Sequence, residues 1–287
     1  MIAAVYDATR CELGEGPLWH PERQQLFWFD IIAGRLLTRE NGETRHWQFD
    51  GHVSAAGWVD DTTLLIASDS RLMRFDIETG QTEDILSLEA GNPSTRSNDG
   101  RADPWGGFWI GTMGKAAEPG AGTIYRYWRG ELRELHDGVT IPNAIAFAPD
   151  RSVAYFSDTP TRRIERQPLD PGTGWPSGPA EPWLDLASAG LVADGAVTDA
   201  AGNLWVAHWG AGRVSAYSPD AKPLKSIEIP GRHSSCPAFG DPDYTTLFCT
   251  TAMQGIDPAT RAAEPAHGQT FVATGVATGR PEPAVEL

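Results

Sequence analysis

The sequence predicts an all-β fold, a six-bladed β-propeller built from four-stranded antiparallel blades. One observation is a repeat in which a small residue recurs after steps of 41, 43, 44, 51 and 43 residues, while a propeller blade has roughly 40–50 residues. The other is that turn residues and a short apolar segment follow each small residue. The repeated positions are Gly16, Gly57, Gly100, Ala144, Gly195 and Ala238.

The apolar segments that follow the repeated positions have the length and composition of buried strands. They lie at 26–29, 64–67, 108–111, 154–157, 204–207 and 247–250. A strand with alternating apolar and polar residues then follows at 71–75, 123–127, 163–167 and 213–217. This period of two residues indicates a strand with one buried face. Turn chemistry between two such segments, as at Asp60-Asp61 or Pro149-Asp150, predicts hairpins within each blade.

The six repeats indicate one domain that spans residues 1–287, since no linker separates two halves. The Pro- and Gly-rich stretch 171–182 accounts for the longest step and is expected to lie between two strands of one blade. A propeller ring has to close without leaving exposed strand edges. We therefore expect residues 2–6 to pair with residues 271–273 and complete the last blade.

Composition and charge restrict the class of protein. The 287 residues carry a formal net charge of −15, and a field of that sign repels nucleic acid. No apolar segment approaches the roughly 18 residues of a membrane helix, and the first residues lack a signal-peptide pattern. We therefore expect a cytoplasmic protein with no nucleic-acid or membrane partner. The three cysteines form no CxxC motif and are expected to be buried thiols.

Oxygen-bearing side chains lie beside several of the repeated positions, which are expected to face the central channel. These side chains are Glu15, Asn98, Asp99, Asn143 and Asp194. Carboxylates that converge in a buried pocket are costly without a counter-charge, which a divalent cation supplies. Glu15, Asn143 and Asp194 offer only hard oxygen ligands, a set that suits Ca²⁺, Mg²⁺ or Mn²⁺.

Several motifs make the chain similar to the senescence marker protein/gluconolactonase/regucalcin family along nearly its whole length. They are Leu-Gly-Glu-Gly-Pro-Leu-Trp at 13–19, Trp-Phe-Asp at 28–30, Arg-Ser-Asn-Asp-Gly at 96–100, Gly-Thr-Met at 111–113, Pro-Asn at 142–143, Ala-Asp-Gly at 193–195 and Ala-Phe-Gly at 238–240. All of them occur in order and in the expected blades. The family commonly has Gly where this chain has Ala144. The resemblance implies a six-bladed propeller that hydrolyses lactones.

The resemblance also implies roles for individual residues. Glu15, Asn143 and Asp194 match family residues that hold one divalent metal ion, which could be Ca, Zn, Mn, Mg or Fe. Arg96 and Asn98 match residues that bind sugar hydroxyls. Glu118, in the loop after Gly-Thr-Met, is the candidate for a further substrate contact.

The sequence thus predicts metal-dependent opening of a sugar lactone to the aldonic acid, with the metal polarising the carbonyl. Asp194 is the first candidate for the base that activates water, and metal-bound hydroxide with Asp194 only as a ligand is the competing version. Trp209 is favoured as a pocket wall, and His208 is a weaker candidate for the channel. Two other functions stay open: a non-catalytic calcium-binding propeller, and a propeller hydrolase acting on aryl esters or phosphotriesters. The particular lactone and the oligomeric state cannot be read from the sequence.

Overall fold

The computed structural model describes residues 1–287 as six four-stranded antiparallel sheets. Strand β1 (Ala4–Asp7) comes first in the chain and belongs to the last blade. Blade 1 contains β2 (Gly14–His20), β3 (Gln25–Asp30), β4 (Arg35–Glu40) and β5 (Glu43–Gln48). Blade 2 contains β6 (Val53–Asp60), β7 (Thr63–Ser68), β8 (Arg71–Asp76) and β9 (Thr82–Ser87). Blade 3 contains β10 (Thr95–Ala102), β11 (Phe108–Gly114), β12 (Gly122–Trp128) and β13 (Glu131–Val139).

The second half of the chain repeats this pattern. Blade 4 contains β14 (Pro142–Phe147), β15 (Val153–Asp158), β16 (Arg163–Pro168) and β17 (Glu181–Asp185). Blade 5 contains β18 (Ala196–Thr198), β19 (Leu204–His208), β20 (Arg213–Tyr217) and β21 (Pro223–Glu228). Blade 6 contains β22 (His233–Gly240), β23 (Thr246–Ala252), β24 (Thr270–Ala273) and β1. One short helix, α1 (Pro258–Ala263), and two 3₁₀ turns (Thr159–Thr161 and Ala187–Ala189) lie between strands.

The predicted six-bladed propeller is confirmed, and so is the way in which its ring closes. Strand β1 pairs antiparallel with β24, with Ala4 opposite Val272 and Val5 opposite Phe271. Nearly all of the 171–182 stretch lies between β16 and β17 of one blade, as expected, and its last two residues begin β17. The first and last parts of the chain therefore share one sheet, so blade 6 closes the ring.

Apolar side chains fill the space between neighbouring blades. Between blades 1 and 2, for example, Phe27 and Phe29 of β3 belong to one buried cluster with Leu64 and Ile66 of β7. The three cysteines are buried and free. None of the helices is both long and apolar enough to cross a membrane.

Three of the innermost strands have an irregularity beside the polar residues of the channel. Pairing with the next strand shifts register between Glu15 and Leu18 in β2, between Ser97 and Gly100 in β10, and between Asn143 and Ala146 in β14. Such a bulge leaves residues unpaired and redirects their side chains. Asn98 lies inside such a shift, and Glu15 and Asn143 are the last paired residues before one.

The last residues of the chain cross the end of the channel opposite the beginnings of these strands. The backbone nitrogen of Val285 donates to the oxygen of Trp58, and that of Glu286 donates to the oxygen of Gly106. Val285 is buried. The C-terminal segment, residues 276–287, therefore packs against the ends of the innermost strands and covers this side of the channel.

Candidate active site

One cavity of about 400 Å³ opens where the innermost strands begin. Its wall combines buried acids and amides with apolar residues and one exposed lysine. The lining residues are Leu13, Glu15, Arg96, Asn98, Met113, Lys115, Ala116, Ala117, Ile141, Asn143, Thr159, Asp194, Trp209 and Gln254. Five of the six residues to which the family resemblance assigns a role, all except Glu118, thus come together in one cavity.

Glu15 is placed by the bulge in β2, and the next residue explains why that bulge needs glycine. Gly16 has φ of 52°, and a Cβ atom there would lie 2.3 Å from the backbone oxygen of Ser54. Only glycine combines this conformation with so close an approach of another strand. The backbone nitrogen of Gly16 donates to the Glu15 carboxylate at 3.0 Å. The side chain is thereby held in the cavity by its own turn.

Arg96 and Asn98 form a fixed pair on β10. Nη1 of Arg96 donates to the backbone oxygen of Ser97 at 2.8 Å and to Oδ1 of Asn98 at 2.9 Å. Burial lowers the pKa of Arg96 to about 10, so the guanidinium stays protonated at neutral pH. Because Oδ1 of Asn98 accepts from the arginine, the Asn98 amide has to present its NH₂ group to the next blade.

Asn143 receives that NH₂ group and is held on both sides. Nδ2 of Asn98 donates to Oδ1 of Asn143 at 3.1 Å, while Nδ2 of Asn143 donates to Oγ1 of Thr159 at 2.9 Å. The Thr159 hydroxyl in turn donates to the backbone oxygen of Ala193 at 3.0 Å. This chain of hydrogen bonds crosses blades 3, 4 and 5. It fixes the orientation of Asn143 and leaves one lone pair of Oδ1 free.

Asp194 lies just before β18, and its backbone nitrogen donates to the oxygen of Ala207 at 3.0 Å. Its carboxyl group is close enough to that of Glu15 to share a hydrogen bond when one of them is protonated. Burial, reinforced by the nearby charge of Asp99, raises the pKa of Glu15 to about 8. Burial and the repulsion from Glu15 raise the pKa of Asp194 well above its usual range. Two ionised carboxylates at this depth thus need more positive charge than Arg96 supplies.

The donor set fits a hard divalent cation. Glu15 and Asp194 supply carboxylate oxygens and Asn143 supplies an amide oxygen, with no His or Cys in the cavity wall. Such oxygen donors suit Ca²⁺, Mg²⁺ or Mn²⁺. No group of three or more His, Cys, Asp or Glu residues in the chain could hold a metal ion. A metal in this cavity would therefore depend on the amide of Asn143 as its third protein ligand.

Three residues with sequence-based expectations lie elsewhere. Glu118 is exposed, does not line the cavity, and accepts a hydrogen bond from the backbone nitrogen of Ala116 at 3.1 Å. Asp99 does not line the cavity and accepts from the backbone nitrogen of Ile145 at 2.8 Å. His208 is fully buried between the oxygen of Val192 and the hydroxyl of Tyr217. Trp209 does line the cavity, as predicted, and stacks on His233 with ring centroids 4.2 Å apart.

Sequence reasoning missed Thr159, Lys115 and Gln254, all of which line the cavity. Thr159 directly follows β15, so a search for polar residues after the second strand of each blade would have found it. Nζ of Lys115 lies 3.2 Å from the carboxylate of Asp69, which also contacts His52 at 3.0 Å. The rim of the cavity therefore carries a positive charge that is partly compensated.

A propeller with acids and amides gathered at one end of its channel defines the class of protein, and its sequence defines the family. The chain belongs to the SMP-30/gluconolactonase/LRE-like family, which matches residues 13–253.

Relatives in this family match the chain over nearly its full length. A 6-deoxy-6-sulfogluconolactonase of Pseudomonas putida is 34% identical over 275 residues, which cover 94% of each chain. A pentonolactonase of Haloferax volcanii is 32% identical over 289 residues, which cover 98% of this chain and 97% of that one. The fold is also similar to the crystal structure of a calcium-binding protein, regucalcin, from Agrobacterium tumefaciens. That comparison has a TM-score of 0.97 and 39% identity, and covers 99% of this chain and 97% of the other.

Proposed function

We propose that this protein is a divalent-metal-dependent lactonase that opens a sugar lactone to the corresponding aldonic acid. The observation that carries the proposal is the convergence of Glu15, Asn143 and Asp194 with Arg96 and Asn98 in one cavity. Its volume, about 400 Å³, is in the range of small-molecule sites. Relatives named as a sulfogluconolactonase and a pentonolactonase support the same class of substrate.

Each residue has a distinct part in the proposed reaction. Glu15, Asn143 and Asp194 would hold the cation, which when bound supplies Lewis-acid polarisation of the lactone carbonyl. Arg96 and Asn98 orient the hydroxyl groups of the sugar through hydrogen bonds, which places the carbonyl for attack. Asp194 takes a proton from the water that attacks the carbonyl carbon. When the bond from that carbon to the ring oxygen breaks, Asp194 returns the proton to the ring oxygen, which leaves as the new hydroxyl group.

A panel of aldono-1,4- and 1,5-lactones tests this function, with acid release as the signal. We expect turnover that a chelator abolishes and that added Ca²⁺, Zn²⁺, Mn²⁺, Mg²⁺ or Fe²⁺ restores. The variant Glu15→Gln should lose both metal binding and turnover. Glu22→Gln, at an exposed carboxylate outside the cavity, is the matched control and should retain both. If the protein binds metal but opens none of the lactones, the proposed lactonase function is wrong.

A non-catalytic calcium-binding protein is the second candidate, because the solved structure from Agrobacterium tumefaciens is described as calcium-binding. The same panel distinguishes the two functions. A calcium-binding protein without catalysis binds Ca²⁺ in the cavity, whereas none of the lactones changes its rate of opening on addition of protein.

A further inference from the structure

The backbone of Ile145, two residues after Asn143, is held by side chains of blade 3 rather than by hydrogen bonds within its own sheet. Ile145 has no partner in the register between β14 and β15. Its nitrogen donates to Oδ2 of Asp99 at 2.8 Å, and its oxygen accepts from Nε of Arg101 at 3.0 Å. Ala144, between Asn143 and Ile145, has φ of 57°. A residue other than glycine keeps this costly conformation only when its surroundings enforce it.

Arg101 makes an equivalent contact after a second candidate metal ligand, Asp194. Its Nη2 donates at 2.8 Å to the backbone oxygen of Ala196, two residues beyond Asp194. One guanidinium group thus fixes the backbone two residues downstream of both Asn143 and Asp194. Its planar, rigid arrangement of donors is suited to holding two carbonyl groups at a fixed distance.

The third donor of this guanidinium group reaches the C-terminal segment. Nη1 of Arg101 forms an ion pair with the carboxylate of Glu282, and both side chains are almost completely buried. Glu282 is anchored in its own right, because Nε1 of Trp58 donates to its backbone oxygen at 2.7 Å. A buried guanidinium needs such a counter-charge, and removing one partner of a buried pair leaves the other uncompensated.

We propose that Arg101 and Glu282 are positioning residues for the candidate metal site. The C-terminal segment, at one end of the channel, thereby acts through this ion pair on Asn143 and Asp194 at the other end. The inference rests on the proposed function, since it concerns residues that would hold the metal. It adds a role for the C-terminal segment that lies outside the cavity itself.

Two variants of the full chain separate positioning from simple stabilisation. Glu282→Gln keeps the size of the side chain but removes the counter-charge. Arg101→Lys keeps the charge and can still pair with Glu282, but its ammonium group cannot replace the three-way contact of the guanidinium. We expect both to bind Ca²⁺ and Mn²⁺ about 10- to 100-fold more weakly by calorimetry, the effect typical of residues that orient metal ligands.

Glu286→Gln is the matched control, because Glu286 lies in the same segment and is exposed. It should bind metal like the wild type. Thermal unfolding of the metal-free proteins shows which variants are folded. The Tm of Arg101→Lys should fall less than that of Glu282→Gln, whereas the metal affinity of the two variants should fall to a similar extent. Rates of lactone opening, measured at increasing metal concentration, should rise towards the wild-type value as the metal site saturates.

The outcomes distinguish this inference from the proposed function. If the wild type binds metal and both folded variants bind it equally well, Arg101 and Glu282 only stabilise the fold, and the inference is overturned. If metal binding weakens in both variants but no lactone is opened by any of the proteins, positioning stands and the lactonase function is wrong. A wild type that binds no metal overturns both.

Discussion

Nδ2 of Asn98 donates to Oδ1 of Asn143 at 3.1 Å, across the boundary between blades 3 and 4. Asn98 is the residue proposed to bind sugar hydroxyls, whereas Asn143 is proposed to bind the metal. Because Arg96 fixes the Asn98 amide from the other side, the three side chains form one hydrogen-bonded unit. Substrate orientation and metal binding are therefore expected to change together when any member of this unit is altered.

Thr159 contacts Asn143 on the side opposite Asn98, so a substitution there tests the hydrogen-bonded unit. The variant Thr159→Val removes the acceptor for Nδ2 of Asn143 and leaves a buried donor unsatisfied, which costs roughly 1–3 kcal/mol. We expect metal affinity to fall by about tenfold as the amide loses its fixed orientation. Calorimetric titration with Mn²⁺ measures this. Thr159→Ser keeps the hydroxyl and should bind like the wild type; equal affinity of the Val and Ser variants would contradict the role of the hydroxyl.

Asp194→Asn separates the role of base from that of ligand. The amide binds a cation more weakly and cannot accept a proton, so we expect both metal affinity and kcat to fall. If Asp194 is the base, kcat stays about 100-fold or more below the wild type even when metal is saturating. The measurement is initial rate against metal concentration, with the exposed Asp220→Asn as control. Recovery of kcat at high metal would show that Asp194 is only a ligand.

The fold could be predicted because its signal is repeated six times. Each blade gives the same order of small residue, turn and apolar strand, so an error in one blade is corrected by the others. The positions of Glu15, Arg96, Asn98, Asn143 and Asp194 follow from that repeat, since each lies at or near the beginning of an innermost strand. The expectation that they share one pocket was therefore within reach of the sequence.

The rest of the cavity depends on features that the repeat does not encode. The loop after β11 turns so that Ala116 and Ala117 form the wall, while the Glu118 carboxylate accepts from a backbone nitrogen of the same loop. Its path depends on local hydrogen bonds rather than on blade length. Ala144 illustrates a similar limit, because its positive φ is enforced by Asp99 and Arg101 acting on Ile145 from another blade.

Trp209 is expected to act on substrate binding rather than on the chemical step. Its ring lines the cavity and is supported by the parallel ring of His233. Trp209→Ala removes an apolar wall, and an aromatic contact contributes about 0.5–1.5 kcal/mol. We expect KM to rise about 2- to 10-fold with little change in kcat. Steady-state kinetics on a lactone that the wild type hydrolyses measure both constants. Trp209→Phe should retain most of the affinity. A fall in kcat with unchanged KM would place Trp209 in the reaction instead.

His208 should make the protein less stable in acid, although it does not line the cavity. Burial lowers the pKa of His208 to about 4, whereas an unfolded histidine titrates near 6.5. Between these values the unfolded chain binds a proton that the folded one does not, so stability falls as the pH falls, by on the order of 3 kcal/mol in total. His208→Gln can keep a donor towards Val192 and an acceptor towards Tyr217 without this titration. Urea unfolding of the metal-free proteins between pH 7 and 4 measures this. The difference in free energy of unfolding between wild type and variant should narrow as the pH falls. The exposed His46→Gln serves as the control, and parallel curves for wild type and His208→Gln would refute the assignment.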